Sequence, residues 1–125
     1  MKTLMVCGSR GFPDKDLVTD TVGKYLEHFL VLIHGDCPNS PDVWAEEVSK
    51  SVEQVIVGRF PADWNKYGRM AGALRNKVMV NLADFILVFW DGKSKGTHNV
   101  INYAEQINKP YKIFGAINES SKEKS

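Results

Sequence analysis

The stretch Gly92-Lys93-Ser94-Lys95-Gly96-Thr97, leading into a helical pattern, carries the strongest chemical signal in the chain. Glycines let backbone N–H groups come close to an oxyanion, a helix N-terminus adds unpaired donors and a partial positive charge, and a threonine hydroxyl adds one more donor. Phosphate is the natural occupant of such a loop. The weaker alternative is that Gly96 and Thr97 merely start the helix, since threonine is also a good N-cap. The loop is not a P-loop, which needs Gly-x-x-x-x-Gly-Lys before Ser or Thr, and Gly8-Ser9-Arg10-Gly11 is not the dinucleotide fingerprint Gly-x-Gly-x-x-Gly.

Arg75 is the second signal. Wheel positions set it between Ala71, Val78, Met79 and Leu82, on the side expected to face a sheet. A guanidinium there needs a partner: Asp36, Asp63 or Asp91 as a structural bridge, or a ligand phosphate, which its planar donor fork suits. The same three carboxylates are the candidate catalytic groups, because one in a poorly solvated pocket would have the raised pKa of a general acid. Trp64 and Tyr67 offer a wall on which a base could stack, or pack over the edge of the core. Cys7, His34, Cys37 and His98 are zinc-ligand types, but only His34-x-x-Cys37 has local ligand-like spacing, so no metal and no cofactor is expected and Cys7 reads as a small core residue.

The elements that must position these residues follow from apolar patterning. Leu4–Cys7 is a buried strand ending in Gly8-Ser9-Arg10-Gly11, and residues 14–28 form an amphipathic helix capped by Asp14, with Val18, Val22, Tyr25, Leu26 and Phe29 at helical spacing. Phe29–Ile33 is a second strand closed by His34-Gly35-Asp36. Ser40 and Pro41 start a second helix with a buried stripe of Trp44, Val48 and Val52. Gln54–Phe60 is a third strand. A third helix spans Arg69–Leu82 with Ala71, Leu74, Val78, Met79 and Leu82 inward, and Phe85–Trp90 is a fourth strand. A fourth helix buries Val100, Ile101, Ala104 and Ile107 and stops at Asn108-Lys109-Pro110. Tyr111–Phe114 is a fifth strand.

Strands that are apolar along their whole length belong to a parallel sheet covered on both faces, and right-handed crossovers make it an α/β, Rossmann-like, doubly wound sheet of five strands. Residues 1–115 form one domain and 116–125 a polar C-terminal tail. In such a sheet ligands bind beyond the carboxyl ends of the strands. There the chain sets Gly8, Ser9 and Arg10 after the first strand and Gly35 and Asp36 after the second. Asp63 and Trp64 follow the third strand, and Asp91, Gly92, Ser94, Gly96 and Thr97 the fourth.

The chain has 125 residues, 43% hydrophobic and 25% charged, which suits one domain with a real core. Sixteen basic against fifteen acidic residues give a formal charge of +1, so no global field would hold it on nucleic acid or an anionic membrane. The apolar runs Phe29–Ile33 and Phe85–Trp90 are far short of the roughly 20 residues that span a bilayer. The start lacks a signal-peptide pattern and the two cysteines are too few for a disulfide scaffold, so a cytoplasmic location is expected.

Taken together and in order, Gly8-Ser9-Arg10, His34-Gly35-Asp36, Phe60-Pro61-Ala62-Asp63-Trp64, Ala71-Gly72 with Arg75-Asn76 and Met79, Ala83-Asp84, and Phe89-Trp90-Asp91-Gly92-x-Ser94-x-Gly96-Thr97 resemble the SLOG superfamily, in its YspA-like, cpYpsA-related branch. The likeness runs from about residue 3 to 114. It implies a Rossmannoid domain that binds nucleotides or nucleotide-derived molecules. Relatives include the lonely-guy phosphoribohydrolases, the DNA-processing protein of natural transformation and nucleotide-sensing domains of defence systems. By this likeness Gly92, Ser94, Gly96 and Thr97 correspond to the phosphate loop and Arg75 to the helix arginine of the hydrolases, with Asn76 beside it. A homodimer across a helix face is also implied. The hydrolases carry Pro-Gly-Gly-x-Gly-Thr-x-x-Glu, and aligning Gly96-Thr97 puts Val100 where the glutamate belongs, so their chemistry is not supported. Relatives have a small-residue, glycine-containing stretch ending in Ala-Asp after the second strand, where this chain has Cys37-Pro38-Asn39-Ser40-Pro41-Asp42.

The expected function is therefore binding of a nucleotide-derived small molecule, by sensing or sequestration. A hydrolase of an N-glycosidic or phosphate bond is the alternative, and an interaction protein with an empty site a third.

Overall fold

The computed structural model describes residues 2–115 and 123–124. The elements are β1 (Thr3–Gly8), α1 (Lys15–Leu26), β2 (Val31–His34), α2 (Pro41–Ser49), β3 (Ile56–Arg59), α3 (Trp64–Tyr67), a 3₁₀ turn (Gly68–Met70), α4 (Ala71–Leu82), β4 (Phe85–Phe89), α5 (Lys95–Gln106), β5 (Tyr111–Phe114) and β6 (Glu123–Lys124). The sheet order is β3-β2-β1-β4-β5-β6, with the first five strands parallel and β6 antiparallel to β5. Strand order reverses between β1 and β4, whose neighbouring ends leave the crevice that doubly wound sheets use for ligands. The rest of the expected C-terminal tail lies outside the described residues.

Alternate residues of the central strands feed two cores, as the pleat requires. Leu4, Val6, Leu32, Leu87 and Phe89 face one side, against Val18, Val22, Leu26 and Ala45 of α1 and α2. Met5, Cys7, Ile33, Ile86 and Val88 face the other, against Met79 and Val80 of α4 and Val100, Ile101 and Ala104 of α5. Asp14 and Ser40 cap α1 and α2 as their residue types suggest, and Pro41 occupies the first turn of α2.

Four expectations are corrected. β3 is an edge strand with Ile56 62% exposed, because it has a neighbour on one side only and no helix covers it fully. The connection after β3 is partly helical: Asp63 accepts from the Lys66 N–H and caps the short α3, so Trp64 opens a helix. On α4 the buried residues are Ala71, Asn76, Met79 and Val80, while Leu74, Val78 and Leu82 are exposed. The helix has two apolar stripes, and the sheet takes the one that carries Ala71, Met79 and Val80. Ile107, expected inside α5, is likewise exposed.

Candidate functional site

A cavity of about 570 Å³ opens at the carboxyl ends of β1 and β4, within the range of small-ligand sites. Gly8, Ser9, Arg10, Gly35, Trp64, Arg75, Asn76, Asp91, Ser94, Gly96 and Thr97 line it. Asp36, Asp63 and Gly92 are not among its lining residues. Asp36 is exposed at φ 59°, Asp63 is the α3 cap, and Gly92 has φ 83°, the left-handed conformation a tight turn asks of glycine. Cys7, Cys37, Asp42, Arg69, Lys95, Asn99 and Val100 also line the cavity, with Gly72, Ala73 and Met79 of α4.

Glycine at position 8 is dictated by packing. A Cβ there would overlap the Phe89 carbonyl oxygen and the Pro41 ring, so its absence lets the start of α2 reach the end of β1. Beside it the buried Ser9 Oγ accepts from the Asp91 N–H at 3.1 Å and ties the β1 and β4 ends together.

The loop after β4 is organised by Asp91. Its Oδ1 accepts from the Lys93 and Ser94 N–H groups at 2.8 Å each, and these amides hold the carboxyl below the usual carboxylate range. Trp90 adds a bond from its Nε1–H to the Ser94 carbonyl at 3.0 Å. The cap of α5 is Ser94, whose hydroxyl accepts from the Thr97 N–H; Thr97 itself sits in the first turn, so the expectation of a threonine cap is replaced. The Lys95 and Gly96 N–H groups are left with no partner among the described residues. Those two amides, not the whole loop, form the donor end of the cavity.

Arg75 makes no ion pair among the described residues, which corrects the structural-bridge alternative. Its Nη1 donates to the Gly35 and Phe60 carbonyls at 2.8 and 3.1 Å, and its Nε donates to Asn76 Oδ1 at 2.9 Å. The buried Asn76 in turn donates from Nδ2 to Asn99 Oδ1 at 3.3 Å and to the Gly96 carbonyl at 3.5 Å. Asn76 thus couples the guanidinium to the first turn of α5. Neutral carbonyl acceptors orient Arg75 without cancelling its charge, a state suited to an anionic ligand. Arg10, Arg69 and Lys95 also line the cavity, against Asp42 and Asp91.

In the sequence Asp42 stands out as the aspartate that the departing Cys37–Asp42 stretch keeps from the SLOG-like pattern, not as a site residue. It is 3% exposed, and its Oδ2 accepts from the Gly35 and Cys37 N–H groups at 3.1 and 3.2 Å. Burial raises its pKa despite those bonds. Burial also pushes the Cys7 and Cys37 thiols up, which makes them poor nucleophiles. The Trp64 indole, half exposed, lies over Gly72, where a Cβ would stand 3.3 Å from it. No helix among the described residues is long and apolar enough to cross a membrane.

No protein-family model matches the chain. Its fold is similar to that of the Moco carrier protein from Chlamydomonas reinhardtii, with TM-score 0.63, 13% identity, and coverage of 95% of this chain and 79% of that one. Over 122 residues it is 32% identical to the Gene 61 protein of Mycobacterium phage D29, covering 92% of this chain and 98% of the phage protein. The chain belongs to the family of that phage protein.

Proposed function

We propose that this protein binds a nucleotide or nucleotide-derived small molecule, with the ligand's phosphate between the first turn of α5 and Arg75. The observation that carries the reading is Arg75: a guanidinium at a cavity wall, oriented by the Gly35 and Phe60 carbonyls, linked through Asn76 to Gly96, and without an ion-paired carboxylate among the described residues. The unpaired Lys95 and Gly96 amides and the excess of cationic lining residues support it. Trp64 supplies an apolar face on which a base can lie.

The ordered SLOG-like motifs, including the YspA-like pattern, agree with this role, as does a structural neighbour that is by name a carrier of Moco. Capture and release of a small molecule in the cytoplasm, as sensor or sequestering protein, is the corresponding biology. The exposed row Met70, Leu74, Val78 and Leu82 on α4 and its preceding turn is our proposed contact for a second copy of the chain.

A hydrolytic reading survives on one observation: the buried Asp42 carboxyl, with its raised pKa, lines the same cavity. The test is to incubate pure protein with nucleoside mono-, di- and cyclic phosphates and nicotinamide dinucleotides, following thermal shift and released base or phosphate together. Stabilisation without turnover supports capture. Released product that disappears in Asp42→Asn supports hydrolysis, and no response to any compound overturns both.

A further inference from the structure

Asp42 and Arg75 flank the same glycine. A Cβ on Gly35 would overlap Arg75 Nη1 and stand 3.1 Å from Asp42 Oδ2, yet the two side chains form no ion pair. Along the cavity floor the order is therefore the first turn of α5, Asn76, Arg75, Gly35 and Asp42. One end offers amide donors and a cation. The other offers a carboxylate, which accepts only.

The carboxylate is also incompletely used. Its Oδ2 takes both amide protons of the 35–37 turn, the Cys37 thiol adds a weak hydrogen bond to the carboxyl, and among the described residues no N–H or O–H donor reaches Oδ1. The side chain is almost wholly buried yet lines the cavity, so its Oδ1 keeps acceptor capacity for a donor from the ligand. The backbone fixes the side chain firmly, because the Asp42 N–H donates to Ser40 Oγ and Ser40 Oγ–H donates to the Cys37 carbonyl at 2.7 Å.

An acceptor one residue away from a phosphate-binding guanidinium matches a phosphorylated sugar, in which the phosphate and the ring hydroxyls sit at opposite sides of a single five-membered ring. We infer that Asp42 is a sugar-hydroxyl subsite: it accepts a hydrogen bond from a ribose 2′- or 3′-hydroxyl of the ligand and makes the site selective for ribonucleotides over their deoxy counterparts. This rests on the nucleotide-binding reading above.

The probes are the 5′-monophosphates of adenosine, guanosine, cytidine and uridine, each compared with its 2′-deoxy and 3′-deoxy forms by calorimetric titration. The ribonucleotides that bind should do so about five- to a hundred-fold more tightly than one of their deoxy forms, since losing the donor leaves a buried acceptor unpaired. In Asp42→Asn the amide oxygen can keep the Gly35 and Cys37 bonds, which turns an N–H towards the cavity, and the ratio should fall to within about threefold. Equal affinity of ribo and deoxy forms in the native protein overturns this inference while leaving nucleotide binding intact. An undiminished ratio in Asp42→Asn also overturns it, because another group would then be reading the sugar. Absence of binding by every monophosphate removes the nucleotide reading and this inference with it. The native ribo-to-deoxy ratio needs no variant, so the test holds even if Asp42→Asn folds poorly.

Discussion

Arg75 lies against the backbone of Gly35, with Nη1 donating to the Gly35 carbonyl at 2.8 Å in space that a Cβ would occupy. The glycine is there for the guanidinium and not for the turn, because Gly35 has none of the positive φ values found at Asp36 and Gly92. Gly35→Ala should therefore push the flexible end of Arg75 aside at little cost to the fold. The expected result is a loss of about 1.5–3 kcal/mol in affinity for phosphate-bearing ligands, similar to that of Arg75→Ala, with the melting temperature nearly unchanged. Titration calorimetry and thermal denaturation measured on both variants check this; a large fall in stability with affinity intact would mean that Arg75 is a structural tie.

Asp91 shapes the donor end of the cavity by collecting the Lys93 and Ser94 amides on one oxygen. Asp91→Ala should open this turn, loosen the Ser94 cap and weaken phosphate-bearing ligands roughly tenfold, within the range for losing hydrogen bonds to a charged group. Saturating ligand should leave any turnover unchanged. Loss of turnover with binding retained would instead give Asp91 a chemical part, against its lowered pKa.

The buried Asp42 carries an energetic cost that can be seen in the empty protein. Its pKa is raised by burial, so ionisation is harder folded than unfolded, and the stability it contributes is present at low pH and falls as pH rises through the folded value. Asp42→Asn should make the empty protein at least as stable as the native one at pH 7 and flatten the stability profile just above the usual carboxylate range. Chemical denaturation across pH 4–8 tests it, and a variant that is clearly less stable at pH 7 would contradict the sign.

Much of this was legible beforehand, and the misses have physical causes. The apolar runs in β1 and β4 and the caps Asp14 and Ser40 are read directly because strands buried on both faces tolerate no polar residue and helix starts need specific side chains. The phase of α4 was not legible, because Leu74, Val78 and Leu82 repeat at helical spacing as well as Ala71 and Met79 do, and only packing against the sheet selects between them. Around the cavity, Arg75 is legible from its wheel position among apolar residues, Gly96 from the glycine-rich loop before a helix, and Asn76 only through the SLOG-like motif. Asp42 is noticeable only as the aspartate kept in the SLOG-like stretch and not as a site residue, because an acid in the first turn of a helix is ordinary and its burial depends on a chain reversal at Gly35–Ser40 that no local pattern announces.

At the far edge of the sheet, Glu46 bridges three elements. Its Oε1 accepts from Arg59 Nε–H at 2.9 Å, and its Oε2 accepts from Arg59 Nη2–H. The buried His34 also joins it, 2.7 Å from Nε2; because His34 Nδ1 accepts from the Asp36 N–H, Nε2 carries the proton and donates. These bonds, Arg59 foremost, lower the Glu46 pKa to about 2. A depressed carboxylate contributes stability above its unfolded pKa and loses it as pH falls through the folded value. The native protein should thus lose stability from about pH 4.5 down to pH 2, and Glu46→Gln should be less stable at pH 7 and lose less over that interval. Urea denaturation at stepped pH reads both slopes, and parallel profiles would exclude Glu46 as a source of acid sensitivity.

The row Met70, Leu74, Val78 and Leu82 advances by four residues each time, so these side chains share one face of α4 and its preceding turn, and all four are exposed. An apolar stripe of this kind on a helix already packed on its other side is the form of a helix-to-helix contact, and a two-fold axis would bring the same residues of two copies together. Val78 is half exposed and touches neither the cavity nor the core clusters, so Val78→Glu tests the interface without disturbing either. Light scattering at micromolar concentration should report a dimer for the native chain and a monomer for the variant, which two buried like charges facing each other would force apart. The variant should keep its phosphate-ligand affinity, because Arg75 points from the same helix towards Gly35 and Phe60 rather than along this stripe. A native monomer, or a dimer that survives Val78→Glu, would remove α4 as the contact.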